Sequence, residues 1–152
     1  YIANASEHDG MGDTTHLPRH HVRLMERRFK KLDLLDGAHY EIENADADAI
    51  IMPWGSSKGP AREAYDRLRA DGADIGWLYS VALNPLPEEV LSVLKSRKKV
   101  IVPELNYLGQ WSALLRQDGI NAESITQYTG LPFRPADLVD SIGERIGVGV
   151  TA

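Results

Sequence analysis

The sequence lacks several features that would place it in a common class of protein. It has no cysteine, which excludes a disulfide framework, a thiolate nucleophile and a cysteine-held zinc or iron–sulfur site within this chain. No apolar run approaches the roughly 20 residues that span a bilayer, and the first residues lack the apolar stretch of a signal peptide. Lys and Arg number 17 against 22 Asp and Glu, so no basic surface for nucleic acid or an anionic membrane is expected. We therefore expect a soluble, cytoplasmic protein that binds neither nucleic acid nor membrane.

The length of 152 residues allows one domain with a substantial core and is too short to predict two. The chain begins with Tyr1 rather than methionine, so we expect it to be a piece of a longer polypeptide. Residues 1–38 are predicted to be a linker segment and a helix from a preceding domain outside the chain. Residues 39–147 are predicted to form a single α/β domain, and residues 148–152 a frayed tail.

The first predicted helix begins near Thr15, whose hydroxyl can cap it, and runs to about Leu35, where Asp36-Gly37 ends it. Pro18 falls in its first turn, where proline is tolerated because that N–H has no helical acceptor. Apolar residues recur at intervals of three and four, which predicts a packed stripe opposite a basic, solvated face. The stripe consists of Val22, Met25, Phe29 and Leu32.

From Asp48 onward, short β-forming runs alternate with helical patterns four times. Short connections of this kind require right-handed crossovers, which predicts a three-layer α/β/α domain with a parallel sheet. Tyr40 and Ile42 alternate with polar residues and predict a short edge strand before it. The predicted strands are 49–54, 75–81, 100–103 and 124–128, and the predicted helices begin at Pro60, at about Pro87, near Gln110 and at Pro135.

The loop after the first predicted parallel strand, Gly55-Ser56-Ser57-Lys58-Gly59, matches the G-x-S-x-G pattern of a serine hydrolase, with Ser57 as the nucleophile. The pattern lies in the strand–turn–helix setting of an α/β-hydrolase, and those enzymes place the catalytic histidine after the serine. All five histidines here precede Ser57, so we regard the match as accidental. Two other interpretations stay open. The loop could bind a phosphate or carboxylate at a helix N-terminus, or it could be a plain glycine-serine turn.

Two polar clusters in the first 21 residues are also candidates. His16 and His20 lie four residues apart beside His21, a spacing that can hold a metal. No HExxH motif or third acidic ligand stands at a recognisable distance, so we favour a hydrated helix end without a metal. Glu7, His8 and Asp9 form the second cluster. They could join a site formed with another domain, or they could anchor the linker.

The last cluster follows the central predicted strand and contains Glu104, Asn106, Tyr107 and Gln110. Glu104 could serve as an acid or base if burial raised its pKa. Alternatively, Glu104 accepts hydrogen bonds from the N–H groups of the following turn, and Tyr107 packs with its hydroxyl at the rim. No second catalytic group can be placed opposite Glu104 by spacing.

Four sequence blocks in order along the chain resemble the C-terminal part of the α subunit of 2-oxoacid:ferredoxin oxidoreductases, and the 2-oxoglutarate branch most of all. The blocks are Glu7-His8-Asp9 with Gly12-Asp13, residues 51–61 (IMPWGSSKGPA), residues 102–110 (VPELNYLGQ) and residues 124–133 (SITQYTGLPF). Together they extend over nearly the whole chain.

The resemblance implies a transketolase C-terminal-like domain with a mostly parallel five-stranded sheet, in which the weak early strand is the fifth member. It also implies an enzyme that decarboxylates a 2-oxoacid on thiamine diphosphate with Mg²⁺, passes electrons through an iron–sulfur cluster to ferredoxin, and forms an acyl-CoA. The resemblance implies that the cofactors lie on other modules of the enzyme and that the other domains, the β subunit and ferredoxin are the partners. No catalytic or cofactor-binding residue carries over to this chain, so assembly is the expected role. Its candidate interface or channel residues are Glu7, His8, Asp9, Glu104, Asn106, Tyr107 and Gln110.

Overall fold

A computed structural model describes residues 6–35 and 37–148, and the chain divides after Gly37 into two units. None of the helices within the described ranges is long and apolar enough to cross a bilayer.

In the first unit, α1 extends over Pro18–Lys30 and continues as a 3-10 segment over Lys31–Leu35. Thr15 does not cap it: the residue before the helix is Leu17, and the Thr15 hydroxyl accepts only the Leu17 N–H at 3.3 Å. The predicted packing of the apolar stripe is wrong, because α1 buries no residue and both Val22 and Phe29 are exposed. An amphipathic pattern specifies a face that can pack, but the pattern does not say what covers that face. The predicted end at Asp36 lies outside the described residues.

The second unit is built on a five-stranded sheet with the order β1-β3-β2-β4-β5. The four strands β3, β2, β4 and β5 are parallel, and β1 pairs with β3 in the antiparallel sense. This confirms the predicted fold class, including the edge position of the weak early strand. The strands are β1 Tyr40–Glu43, β2 Ala49–Ile51, β3 Gly76–Ser80, β4 Lys99–Glu104 and β5 Ala122–Thr126.

Helices cover both faces of the sheet. The chain moves from β2 to β3 on one side and then crosses back to β4 on the other, so right-handed crossovers put α2 and α3 on opposite faces. One core contains residues of α2 and α5, and the other contains residues of α3 and α4. The helices are α2 Lys58–Ala70, α3 Glu88–Lys95, α4 Gln110–Gln117 and α5 Pro135–Ile146.

Several predicted boundaries shift. Strand β2 stops at Ile51, two residues before Pro53, which cannot donate to a ladder. Helix α2 begins at Lys58 rather than Pro60, because a 3-10 turn over Gly55–Ser57 leads directly into it. Helix α3 extends over Glu88–Lys95, one residue after its predicted start at about Pro87.

Helix α4 has one buried face, since Trp111 and Leu115 are buried while Leu114 is exposed. In the predicted tail, the N–H of Val148 donates to the carbonyl of Gly143 at 3.0 Å. The other four residues of that tail, 149–152, lie outside the described part of the chain.

Candidate functional site

The candidate site is the edge of the sheet where the parallel strands end. From β2 the chain goes to β3 on one side, and β4 lies on the other, so the loops after β2 and β4 flank the point where the strand order reverses. Ligands of open α/β sheets bind in the crevice at this point. Here the two loops are tied together, since the Ser57 hydroxyl donates to the carbonyl of Pro103 at 3.0 Å.

Glu104 ends β4, and its side chain is fully buried, with 0% of its surface exposed. One carboxylate oxygen accepts the backbone N–H of Trp111 at 2.7 Å and the side-chain amide of Asn106 at 3.0 Å. The other accepts the backbone N–H of Ser112 at 3.0 Å and the Ser124 hydroxyl at 3.2 Å. The carboxylate thereby satisfies the free N–H groups in the first turn of α4 and joins that helix to β5.

These contacts determine the protonation of Glu104. Burial by itself raises its pKa, but the hydrogen bonds from Asn106 and from the N–H groups of Ser112 and Trp111 outweigh burial and hold the pKa below the usual range. The acid-base alternative required a raised pKa. The structure shows the other alternative, a carboxylate that accepts hydrogen bonds from the turn that follows it.

Ser57 is not placed as a nucleophile. Only 2% of its surface is exposed. Its hydroxyl lies 2.7 Å from the carbonyl of Trp54 and accepts the N–H of the same residue at 3.1 Å, in addition to its contact with Pro103. The one histidine of the second unit's sequence, His39, lies beside Glu41, with 3.5 Å between Nε2 and Oε1. Ser57 therefore closes a turn, and the hydrolase interpretation has no geometric support.

In the predicted anion loop, few side-chain donors are available to bind an anion. The Lys58 ammonium lies 2.6 Å from the Glu41 carboxylate and 4.0 Å from the centre of the Tyr79 ring. Hydrogen bonding to Lys58 is the main reason that the pKa of Glu41 is lowered, with Trp77 and His39 adding to it. Because the charge of Lys58 is already neutralised, an anion at Gly55, Ser56 and Gly59 would meet mainly backbone N–H groups. The anion site stays a prediction.

Asn106 shapes the loop between β4 and α4. Its side-chain oxygen accepts the N–H of Gly109 at 2.7 Å and that of Gln110 at 3.3 Å, while its amide holds Glu104. Gly109 has a φ of +65°, and a Cβ there would lie 2.9 Å from the Ser124 hydroxyl, so this turn requires glycine. The loop is thus fixed from within by polar contacts.

Tyr107 differs from its prediction. It does not pack against the core but is 69% exposed, and its ring contacts that of Tyr128 edge to face with centroids 4.8 Å apart. Tyr128 was missed as a candidate. Its position in the 124–133 block, after the strand adjacent to β4, was the signal that could have found it, because neighbouring parallel strands end side by side.

The two tyrosines lie among other exposed apolar side chains on the same two loops. Leu108 is 73% exposed and Leu131 68%, and Leu105 is also exposed. We name this surface the tyrosine patch; it consists of Leu105, Tyr107, Leu108, Tyr128 and Leu131. Of these five residues, only Tyr107 was predicted from the sequence as a candidate.

In the first unit, the predicted cluster Glu7-His8-Asp9 is held locally. Glu7 accepts hydrogen bonds from Arg28 at 2.7 Å and contacts His21 Nδ1 at 3.1 Å, and the bond from Arg28 is the main reason for its lowered pKa. Asp9 accepts the backbone N–H groups of Met11 and Asp13, which lower its pKa, and His8 pairs with Thr14 through the backbone. These contacts correspond to the anchoring alternative; a site formed with another domain stays a prediction.

The predicted metal candidates were His16, just before α1, and His20 and His21 within it. His21 contacts Glu7, and within residues 6–35 and 37–148 no group of three or more His, Asp or Glu side chains is arranged to hold a metal ion.

Comparison with known proteins identifies the family of this chain. The model of pyruvate:ferredoxin oxidoreductase core domain II matches residues 47–142. The chain is 34% identical over 141 residues to 2-oxoglutarate oxidoreductase subunit KorA of Mycobacterium tuberculosis, which covers 91% of this chain and 21% of that protein. It is 33% identical over 147 residues to the alpha subunit of 2-oxoacid:ferredoxin oxidoreductase 1 of Aeropyrum pernix, covering 90% of this chain and 23% of that protein.

Among solved structures, the chain is similar to 2-oxoglutarate:ferredoxin oxidoreductase from Magnetococcus marinus with 2-oxoglutarate, coenzyme A and succinyl-CoA bound. The TM-score is 0.76 at 35% sequence identity, and the match covers 96% of this chain and 27% of that one. The chain spans only about a fifth to a quarter of the length of the curated relatives described above. The matches show that the chain belongs to the family of pyruvate:ferredoxin oxidoreductase core domain II, in the form found in α subunits of 2-oxoacid:ferredoxin oxidoreductases.

Proposed function

We propose that this chain is the structural and assembly domain of the α subunit of a thiamine-diphosphate-dependent 2-oxoacid:ferredoxin oxidoreductase, acting in the cytoplasm. The substrate we propose is 2-oxoglutarate, because a relative and the solved neighbour named for that substrate are 34% and 35% identical to this chain. The complete enzyme would convert the 2-oxoacid and CoA to an acyl-CoA and reduce ferredoxin.

The observation that carries the assembly role is the distribution of polarity at the sheet edge. Glu104 and Ser57, the side chains with catalytic potential, are buried and bonded to the protein's own backbone. The same edge exposes the apolar side chains of the tyrosine patch, beside polar residues such as Ser56 and Gln110. An exposed apolar patch next to polar groups that are satisfied within the domain suits contact with protein better than chemistry on a small substrate.

The cofactors are proposed to lie on other domains and on the β subunit. A cluster held by cysteine thiolates does not fit this chain, whose sequence has no cysteine. Thiamine diphosphate with Mg²⁺ does not fit the 55–59 loop either, because the Lys58 charge that would meet a diphosphate is paired with Glu41. We therefore assign no step of the reaction to a residue of this chain.

The test starts from the native polypeptide that contains this chain. Its mass in the source cell is expected to be well above 16.9 kDa, and the purified complex is expected to contain iron and thiamine diphosphate. That complex should reduce ferredoxin only when 2-oxoglutarate and CoA are both supplied, with pyruvate as the matched control substrate. A native polypeptide of the present size without iron would refute the proposal.

A binding assay distinguishes the assembly domain from the alternative function, a free-standing module that binds an anionic ligand at residues 55–59. Isothermal titration of this chain with thiamine diphosphate and Mg²⁺ is expected to show no binding. A ligand that binds only the folded state raises the melting temperature, so a screen of nucleotides, phosphate and CoA tests the loop directly. Micromolar binding of thiamine diphosphate would overturn the structural assignment.

A further inference from the structure

The tyrosine patch spans two neighbouring loops. It lies on the loops that follow β4 and β5, and these strands are paired as far as their last residues, Glu104 and Thr126. The edge-to-face contact of Tyr107 with Tyr128 joins the two loops directly. Leu108 and Leu131 add an exposed aliphatic side chain from each loop.

Both loops are held in one conformation by polar contacts on the protein side. Asn106 accepts the Gly109 N–H at 2.7 Å in the first loop. In the second, the side-chain amide of Gln127 donates to the carbonyls of Leu131 at 2.7 Å and Pro132 at 3.0 Å. A surface that is already ordered loses little conformational entropy when a partner covers it, which favours binding.

The patch carries no charge in its sequence. Residues 105–115 and 124–133 contain no Asp, Glu, Lys or Arg, although such residues make up 26% of the whole chain. Interface centres are depleted in charged residues and enriched in tyrosine, and tyrosine is prominent among the residues that dominate binding energy. The chemistry of the patch therefore fits an apolar, uncharged partner surface with acceptors for the two phenol groups.

The size of the patch favours a partner in the same polypeptide. A stable interface between separate proteins uses about 20–30 residues on each side, far more than the five side chains here. A contact within one chain can be smaller, because covalent connection gives the partner a high effective concentration. The relatives supply ample chain for it, since this sequence matches only 21% and 23% of two of them.

We propose that the tyrosine patch is the docking surface for an apolar, uncharged segment in the remainder of the same α-subunit polypeptide. This inference rests on the proposed function, which makes the chain one domain of a longer subunit. It specifies which face of the domain makes the contact and what chemistry covers it.

Hydroxyl-radical footprinting of the full-length holoenzyme tests the contact. Tyr107 and Tyr128 are expected to react about tenfold more slowly than free tyrosine, since interface centres exclude water. The protection should persist at every enzyme concentration. Rates close to that of free tyrosine would overturn the proposal, and so would protection that disappears on dilution, because it would assign the partner to a second copy or another subunit.

Charge substitutions give an independent readout. Leu108→Glu combined with Leu131→Glu places two charges on side chains that this domain leaves exposed, so the domain itself should still fold. In the full-length subunit the pair is expected to abolish the protection of both tyrosines and to speed proteolysis between domains by about tenfold. The control is Val81→Glu, an exposed apolar residue after β3 and outside the patch, which should leave both rates unchanged. Unaltered protection in the double variant would refute the contact.

These readouts do not depend on catalysis. An enzyme that fails to oxidise 2-oxoglutarate would refute the proposed function while the tyrosines could still be protected. An active enzyme with freely reacting tyrosines would refute the docking surface alone.

Discussion

Replacing Glu104 by glutamine is the sharpest test of the site's interpretation, because glutamine has the same shape and lacks only the charge and one acceptor. The carboxylate receives two hydrogen bonds at each oxygen, and two of the four come from backbone N–H groups at the start of α4. An amide keeps one accepting oxygen and turns an NH₂ toward the remaining donors. The Ser124 hydroxyl can rotate to accept, but the N–H of either Ser112 or Trp111 loses its partner.

The magnitude follows from these contacts. A buried donor without a partner costs about 1–3 kcal/mol, and bonds to a charged acceptor are worth more than those to a neutral one. We expect Glu104→Gln to lower the free energy of unfolding by about 2–4 kcal/mol at neutral pH. Urea unfolding measures this as a lower midpoint at an unchanged m-value. Glu63→Gln is the matched control; Glu63 makes an exposed ion pair with Arg67 one helical turn away, and its loss should cost less than about 0.5 kcal/mol.

The pH dependence of the stability difference between the wild type and Glu104→Gln gives a second test. A carboxyl group whose pKa is lower in the folded state contributes stability above its unfolded value, 4.5, and loses it as pH falls through the folded pKa. The difference between the wild type and Glu104→Gln should therefore be constant near neutrality and shrink in acid. A loss below about 0.5 kcal/mol, or a difference that grows in acid, would refute the idea that Glu104 is a charged structural acceptor.

Three further predictions concern the neighbouring loops and strands. Ser57→Ala should lower the free energy of unfolding by about 1–2 kcal/mol, whereas Ser56→Ala, in the same loop but exposed, should have little effect. A fluorophosphonate should not label Ser57 in the wild type. Gly76→Ala should destabilise the protein by about 1–3 kcal/mol, because its Cβ would lie 2.7 Å from the carbonyl of Asn44. Gly59→Ala, with open space around it in α2, should instead stabilise the protein slightly. Chemical unfolding of both variants measures the difference. Glu41→Gln releases Lys58, so phosphate should raise the melting temperature of the variant more than that of the wild type if residues 55–59 bind anions; equal shifts would exclude Lys58 from such a site.

The architecture was readable from the sequence because it depends on local period and connection length. Runs such as Val100-Ile101-Val102 are too apolar for a half-exposed strand, and short linkers to helices leave only parallel pairing. The edge position of Tyr40–Glu43 followed from its weaker alternating pattern. Element ends were less readable. They depend on turns such as the 3-10 segment at Gly55–Ser57, whose hydrogen bonds reach Pro103 in another strand.

The chemistry of the site was only half readable, for a physical reason. The sequence placed Glu104 at the end of a buried strand, and such a position permits either a raised or a lowered pKa. The outcome depends first on Asn106 and then on the N–H groups of Ser112 and Trp111, which the first turn of α4 brings to the carboxylate. In the same way, the pairing of Lys58 with Glu41 joins residues 17 positions apart, and no local pattern indicates it.

The hydrogen bonds of Glu104 also reach the elements that carry the tyrosine patch. Its carboxylate fixes the first turn of α4 and, through Asn106, the loop that carries Tyr107 and Leu108. Through Ser124 it fixes the strand that leads to Tyr128. A buried charge is thus bonded to one loop that exposes the tyrosine patch and to the strand that leads to the other. All four of its hydrogen bonds come from the protein itself, which agrees with the assembly role proposed above.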